Sequence, residues 1–323
     1  MKQLISIALC TYNGEKFIKE QIESVLGQSY KNIELIITDD GSKDKTIEII
    51  KQYMQLDGRI TLYENKENLG FIKNFEKAIS LCNGDFIALS DQDDIWKLNK
   101  IEKFVNEIKE NVLIYSNATI VDETSNPTGK ELIEGARHLV NGKCNKAFLL
   151  NSFISGNTMM FKQELVKYIL PIPIQISYHD IWISFVASTY GTINYTDESM
   201  IYYRRHSEQV TTSSKKNYKN YLDKLRYKKE KLIQEWQTKK TNLETFKSLA
   251  ILKDSDTIKI IDLLIFHFRN YQNIYFNIDL YKYLLKYKEE IFASIVFKKR
   301  NKRIFGYSMG LKFHSFTLFK IQT

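Results

Sequence analysis

The first ninety residues alternate between two hydrophobic periods, and this alternation restricts the chain more than any other feature. Leu4–Cys10 is an unbroken apolar run of strand length. Glu15–Gly27 then places Phe17, Ile18, Ile22, Val25 and Leu26 on one helical face. Glu34–Thr38 and Ile60–Glu64 read as two more strands, and Asp44–Met54 between them carries Ile47, Ile50 and Met54 at helical spacing. Phe71–Cys82 is an amphipathic helix with Phe71, Ile72, Phe75, Ala78, Ile79 and Cys82 on its stripe; Gly84 separates it from a fourth strand, Asp85–Leu89. Apolar strands alternating with helices predict the α/β class, a mostly parallel sheet covered by helices on both faces.

In such a sheet, ligands collect beyond the carboxyl ends of the strands. Polar loops stand at each of those ends: Thr11-Tyr12-Asn13-Gly14, Asp39-Asp40-Gly41-Ser42, Asn68-Leu69-Gly70 and Ser90-Asp91-Gln92-Asp93-Asp94. The last sets three carboxylates in four positions after a buried strand. Like charges so close repel unless a cation or a set of donors sits among them. The natural guest is a hard divalent ion, Mg²⁺ or Mn²⁺, which takes oxygen ligands and is often shared with phosphates. An acidic turn capping the next helix is the plainer alternative. No G-x-G-x-x-G follows strand one and no G-x-x-x-x-G-K-[ST] occurs, so phosphate charge would be met by a metal and not by a glycine cradle.

Composition bears on the remainder. With 43% hydrophobic and 26% charged residues the 323-residue chain can bury a large core, and 3 Pro and 13 Gly favour long regular elements. Cys10, Cys82 and Cys144 are widely separated, which fits a reduced compartment and neither a disulfide framework nor a zinc site. The apolar start is short and lacks a cleavage pattern, so it reads as a first strand and not a leader. No window offers the ~20 apolar residues needed to cross a bilayer. Residues 1–210 carry 23 basic against 28 acidic side chains and residues 211–323 carry 24 against 10, so the two parts stand at −5 and +14.

The motifs in order, Ser6–Gly14, Asp39–Asp44, Asn68–Gly70 and Ser90–Asp94, resemble a family 2 glycosyltransferase of the GT-A fold over about residues 4–210. The D-Q-D-D-I-W form, with Tyr203-Arg204-Arg205-His206 later, is similar to the bacterial rhamnosyltransferase-like branch that builds cell-surface polysaccharide. The resemblance implies a GT-A catalytic domain over 1–210, with a nucleotide-sugar half to about residue 96 and an acceptor half over 97–210. Thr11, Tyr12, Asn13 and Gly70 would lie at the nucleotide pocket, and Asp40, with Asp39, would accept hydrogen bonds from the base. Asp93 would bind the metal bridging the donor diphosphate, with His206 as a further ligand. Asp91 would meet the ribose, the donor sugar, or the metal through water. Arg204 or Arg205 would hold the diphosphate. Asp94 would order its loop or cap a helix beginning near Lys97.

On the acceptor side the resemblance implies Gly156 and Asn157 in a small-residue loop before a strand, and His179-Asp180-Ile181-Trp182 where the family usually shows Glu-Asp. Asp180 would be the general base, with His179 and Trp182 beside it. The implied activity is inverting transfer of rhamnose or a hexose from a dTDP- or UDP-sugar to a growing cell-surface polysaccharide or lipid-linked glycan. The alternative is a catalytically inactive GT-A fold serving as a binding or assembly subunit. Residues 211–323 predict helices over Lys215–Thr241, Thr257–Phe268 and Ile274–Tyr287, and a basic cluster at Lys298–Arg303. Such a basic, aromatic-rich extension suits an anionic membrane surface, and thus a peripheral position at the inner face of a bacterial membrane. A packed helical subdomain or homo-oligomer interface would use the same residues. No nucleic-acid recognition motif accompanies the charge.

Overall fold

A computed structural model describes residues 2–310 other than 136, 208 and 210–219. The predicted alternation is present at nearly the predicted boundaries. Strands β1 (Ile5–Thr11), β2 (Ile33–Asp39), β3 (Ile60–Glu64) and β4 (Phe86–Asp91) alternate with helices α1 (Ile18–Leu26), α2 (Thr46–Leu56) and α3 (Phe71–Ser80). β1 pairs in parallel with β2 and β4, and β2 with β3. Every residue of β1 is buried because both faces of the sheet are covered. Ala8 and Cys10 point into one core with Phe75, Ala78 and Ile79 of α3, while Ile5, Ile7 and Leu9 point into the other with Ile18, Ile22 and Ile50 of α1 and α2. The period-two alternation of a strand sends successive side chains to opposite faces.

The second half extends the same sheet. Strand β5 (Ile95–Trp96), helix α4 (Lys100–Ile108), strands β6 (Leu113–Val121), β7 (Pro127–Glu131) and β8 (Met159–Lys162), helices α5 (Val166–Ile169) and α6 (His179–Tyr190), and strand β9 (Ile193–Arg204) follow in order. The sheet order is β3-β2-β1-β4-β8-β6-β9-β5, with β7 beside β6. The β8 pairings to β4 and β6 are antiparallel, so the sheet is parallel on the first side and mixed on the second.

Beyond residue 219 come α7 (Tyr221–Lys247), α8 (Ser255–Asn270), α9 (Ile278–Lys286), α10 (Lys288–Ile291) and α11 (Phe297–Ser308). The start of the helical pattern over 215–241 lies outside the described residues. The pattern over Ile274–Tyr287 begins helically only at Ile278, because the Asn277 side chain accepts the Leu280 N–H and caps the helix there. These helices share the core of α3 and α6. Phe246 stacks on Phe185 at 3.9 Å, Asn242 Nδ2 donates to Ser177 Oγ at 2.9 Å, and Lys146 Nζ bridges Asp254 and Glu290 at 3.0 and 2.9 Å. The extension is therefore bound into the sheet domain's own hydrophobic core. Within the basic cluster, Arg300 is buried and pairs with Glu289, whereas Lys298, Lys299 and Lys302 are exposed. Among the described residues no helix is long and apolar enough to cross a membrane.

Candidate active site

The parallel register aligns the loops. Cys10 stands opposite Thr38 on one side and Asp91 on the other, and Thr11 stands opposite Asp39. The chain after each strand therefore emerges at one edge, where it encloses a cavity of about 950 Å³. Gln92 ties the first loop to the fourth: its Oε1 accepts from Thr11 Oγ1 at 2.6 Å and from Tyr12 N at 2.8 Å. Asn13 sits at φ 47°, a left-handed conformation that Asn tolerates better than most residues. Its Oδ1 accepts the Lys43 N–H at 2.9 Å and joins the loop after β2. Asp40 Oδ1 accepts from Asn65 Nδ2 and Leu69 N, both at 2.8 Å, and Oδ2 accepts from Gly70 N at 2.9 Å. A carboxylate offers about four acceptor positions, so Asp40 keeps one for a ligand N–H while its aim is fixed.

The acidic loop is held from behind. Arg204, 2% exposed, donates from Nε to the Asp93 carbonyl at 2.9 Å, from Nη1 to the Glu123 carbonyl and Ser125 Oγ, both at 2.8 Å, and from Nη2 to Glu20. Its backbone N–H donates to Asp94 Oδ1 at 3.1 Å. Asp94 also accepts from Asn157 Nδ2, and the buried Lys100 donates to the Asn157 carbonyl at 2.8 Å. Asp94 therefore orders its loop and does not cap the next helix, which begins at Lys100. In front, His206 Nε2 lies 2.8 Å from Asp93 Oδ2. Burial, then the charges of Asp93 and Asp180, push the Asp91 carboxyl up to about 7.

Across the cavity, Asp180 lies in the first turn of α6 and its carboxyl is raised to about 6 by burial, against the lowering effect of N–H donation from Ile181, Gly156 and its own backbone. His179 stacks on Phe75 of α3 with ring centroids 4.0 Å apart. Burial pushes this imidazole down to about 3, so it is neutral. Neither ring nitrogen meets a hydrogen-bond partner among the described residues, an arrangement that ordinarily costs about 1–3 kcal/mol. A Cβ on Gly156 would stand 2.7 Å from His179 Nε2, so the glycine is required where loop and ring meet.

Eleven of the residues singled out from the sequence line this one cavity: Thr11, Tyr12, Asn13, Asp40, Gly70, Asp91, Asp93, Gly156, His179, Asp180 and His206. Four do not. Asp39 is buried and accepts from Gly41 N and Ser42 N at 3.0 and 2.8 Å, so it shapes the loop that presents Asp40. Asn157 is consumed by Asp94. Trp182 is buried in the core and donates to the Ile169 carbonyl at 2.8 Å. Arg204 directs its guanidinium to the Asp93 and Glu123 carbonyls, Ser125 and Glu20 behind the acidic loop, and Arg205 lies over the Tyr203 ring; neither lines the cavity. Among the described residues, Asp91, Asp93 and His206 do not close into one three-ligand group. Asp93 and His206 alone meet, a pair that suits a cation completed by phosphate oxygens and water. Sequence reading missed Gln92, Phe71 and Phe75; Gln92 lies inside the acidic motif but carries no charge.

The chain matches the sequence profile described as Glycosyl transferase family 2 over residues 6–170. An uncharacterised glycosyltransferase of Methanocaldococcus jannaschii is 30% identical over 240 residues, 71% of this chain and 81% of that protein. One from Haemophilus influenzae is 29% identical over 221 residues, 65% of this chain and 68% of that protein. The crystal structure of Staphylococcus aureus TarS residues 1–349 with UDP-GlcNAc aligns at a TM-score of 0.58 and 16% identity, covering 95% of this chain and 88% of that one, which is a likeness of fold. With parallel strands delivering their loops to one carboxyl-edge cavity and the family profile spanning those loops, the chain belongs to glycosyl transferase family 2 and has the GT-A fold.

Proposed function

We propose that this glycosyltransferase moves a sugar from a nucleoside-diphosphate donor to an acceptor hydroxyl with inversion at the anomeric carbon. The observation that carries the reading is the placement of Asp180 in the same cavity as Asp40, Asp91 and Asp93. Asp40 binds the base of the nucleotide, and the Thr11–Asn13 loop, fixed by Gln92, lines its pocket. Asp180 takes the proton from the acceptor hydroxyl as that oxygen bonds to the anomeric carbon. The bond from that carbon to the diphosphate oxygen breaks, and the nucleoside diphosphate leaves with the bonding pair. Asp93 and His206 would hold Mg²⁺ or Mn²⁺, which when bound neutralises charge on the leaving diphosphate.

A UDP- or dTDP-linked hexose or rhamnose is the proposed donor; the UDP-GlcNAc held by the TarS structure supports a nucleotide-sugar in this fold. TuaG of Bacillus subtilis, 36% identical over 115 residues, is named for teichuronic acid biosynthesis, which supports a cell-surface polysaccharide or lipid-linked glycan as acceptor. Exposed Phe297 beside Lys298, Lys299 and Lys302 on α11 supports docking at an anionic, cytoplasmic membrane face.

The test is a thermal-shift screen against UDP, dTDP, GDP, CMP and CDP with and without Mn²⁺. A ligand at about 100 times its Kd adds about 2.7 kcal/mol of stability. A Mn²⁺-dependent shift with UDP or dTDP is the expected result. No shift with any nucleotide would leave an inactive assembly subunit as the better reading.

A further inference from the structure

Asn157 takes no part in the proposed chemistry and does not line the cavity, yet it stands at a junction of buried polar groups. Asn157, Asp94 and Lys100 are all 0% exposed. Asn157 Nδ2 donates to Asp94 Oδ2, and the Asn157 carbonyl accepts from Lys100 Nζ at 2.8 Å. Lys100 Nζ in turn lies 3.4 Å from the centroid of the Trp96 ring, so packing as well as charge sets its position. A buried ion pair often stabilises a fold no better than apolar side chains of the same volume, and the best-attested use of buried polar groups is to fix the register of one segment against another.

Two functional segments meet at this amide. Asp94 follows Asp93 in the acidic loop, and its other oxygen accepts the Arg204 N–H at 3.1 Å. Asn157 belongs to the turn Gly156–Thr158, which runs into β8. The residue before it, Gly156, donates its N–H to the Asp180 carboxyl. Asp93, Asp94, Asn157, Gly156 and Asp180 are thus joined by alternating covalent and hydrogen-bonded steps. β8 also pairs with β4, but that ladder stops at Ala88 and Met160, short of both loops.

We propose that Asn157 is a positioning residue that fixes the general base Asp180 relative to the acidic loop, acting through the Gly156 N–H and anchored from behind by Lys100. The proposal rests on the glycosyltransferase reading above, since that reading makes the spacing of base and acidic loop matter.

The experiment follows the Asp180 carboxyl itself, by ¹³C NMR of the full chain labelled at aspartate carboxyl carbons and titrated between pH 4.5 and 8.5. The resonance is identified by its absence from Asp180→Asn, and wild type is expected to titrate near 6. Asn157→Ala removes the bond to Asp94 and frees the turn. Donation from Gly156 lowers the Asp180 carboxyl, so its loss is expected to raise the midpoint by about half a unit or more. Asn157→Ser is expected to show the same rise, and carries the test if the alanine variant does not fold. A turn that merely loosened would admit water, and because burial is what raises this carboxyl the midpoint would instead fall toward 3.8. Asp94→Asn combined with Asn157→Asp exchanges donor and acceptor across the same bond and keeps the number of carboxylates, so it is expected to return the midpoint to near the wild-type value. Asp40, Asp91, Asp93, Lys16, Lys43 and His206 share the cavity with Asp180 and are unchanged in every variant.

Calorimetric titration of the same proteins with UDP, dTDP and GDP in Mg²⁺ is expected to give affinities within about threefold of wild type, because Arg204 still holds the acidic loop. An Asp180 midpoint that is unmoved or lowered in the alanine and serine variants overturns the proposal, and an unmoved one shows that the pairing of β8 with β4 places the turn. A combined swap that titrates like the alanine variant also overturns it. Failure of wild type to bind any of the three nucleotides overturns the glycosyltransferase reading itself, and this proposal with it.

Discussion

Burial raises the Asp180 carboxyl to about 6, and a base must be ionised to act. The transfer rate is therefore expected to rise with pH through about 6 and then level; a kcat/KM profile flat down to pH 4.5 would contradict Asp180 as base. Asp180→Asn is expected to lower transfer by about 10²–10⁴-fold while leaving nucleotide affinity intact. The same shift has a stability consequence. A carboxyl whose folded pKa is raised above 3.8 favours the fold fully below 3.8, and that contribution is lost as pH rises through about 6. The asparagine variant escapes the loss, so at pH 8 it should be more stable by up to about 3 kcal/mol, and at pH 3.5 by nothing. Paired thermal melts at the two pH values check this. Asp180 was legible in the sequence through the motif order; its environment was not, because burial is a property of the folded chain.

At the scale of elements, the Asp91–Asp94 loop depends on β9 more than on its own strand. Arg204, the last residue of β9, donates to the Asp93 carbonyl and to Asp94. Arg204→Met removes the side-chain donors to the Asp93 and Glu123 carbonyls and leaves those carbonyls unpaired, while the backbone N–H to Asp94 remains. We expect a loss of about 2–3 kcal/mol, little of it from the half-exposed Glu20 pair, and a weaker Mn²⁺ dependence of nucleotide binding as Asp93 loosens. A urea melt and nucleotide titrations with and without Mn²⁺ measure both; nucleotide binding with wild-type Mn²⁺ dependence would show that the loop holds its own shape. In sequence, the arginine stood in a motif beside His206 and read as a phosphate ligand. Charge can be read from a residue's identity, but the direction in which it points is set by how β9 pairs beside β6. The late start of α9 has a similar cause, since its apolar pattern runs back past Asn277 but the cap fixes where the helix can begin.

At the scale of the molecule, the C-terminal helices and α6 share one core. Phe246→Ala, which empties the stack on Phe185, is expected to cost about 3–5 kcal/mol and to lower the single melting transition of the whole chain. Two separated transitions would mean that the extension unfolds alone. If α11 docks on lipid, the chain should co-sediment with vesicles containing phosphatidylglycerol and much less with neutral ones. Lys298→Glu, Lys299→Glu and Lys302→Glu combined should abolish the difference, because each cation near an anionic surface contributes about 1 kcal/mol.

By itself the sequence determined the α/β class, the order of the first seven elements and the four loops beyond the strand ends. Each of these follows from local periodicity and turn chemistry, which neighbours in the chain decide. Tertiary structure decided which polar residues face the cavity. Asp40 does and Asp39 does not, because successive side chains point in different directions; His179 does and Trp182, one turn further along the same helix, is buried against Ile169, so that only packing against distant elements settles what reaches the cavity.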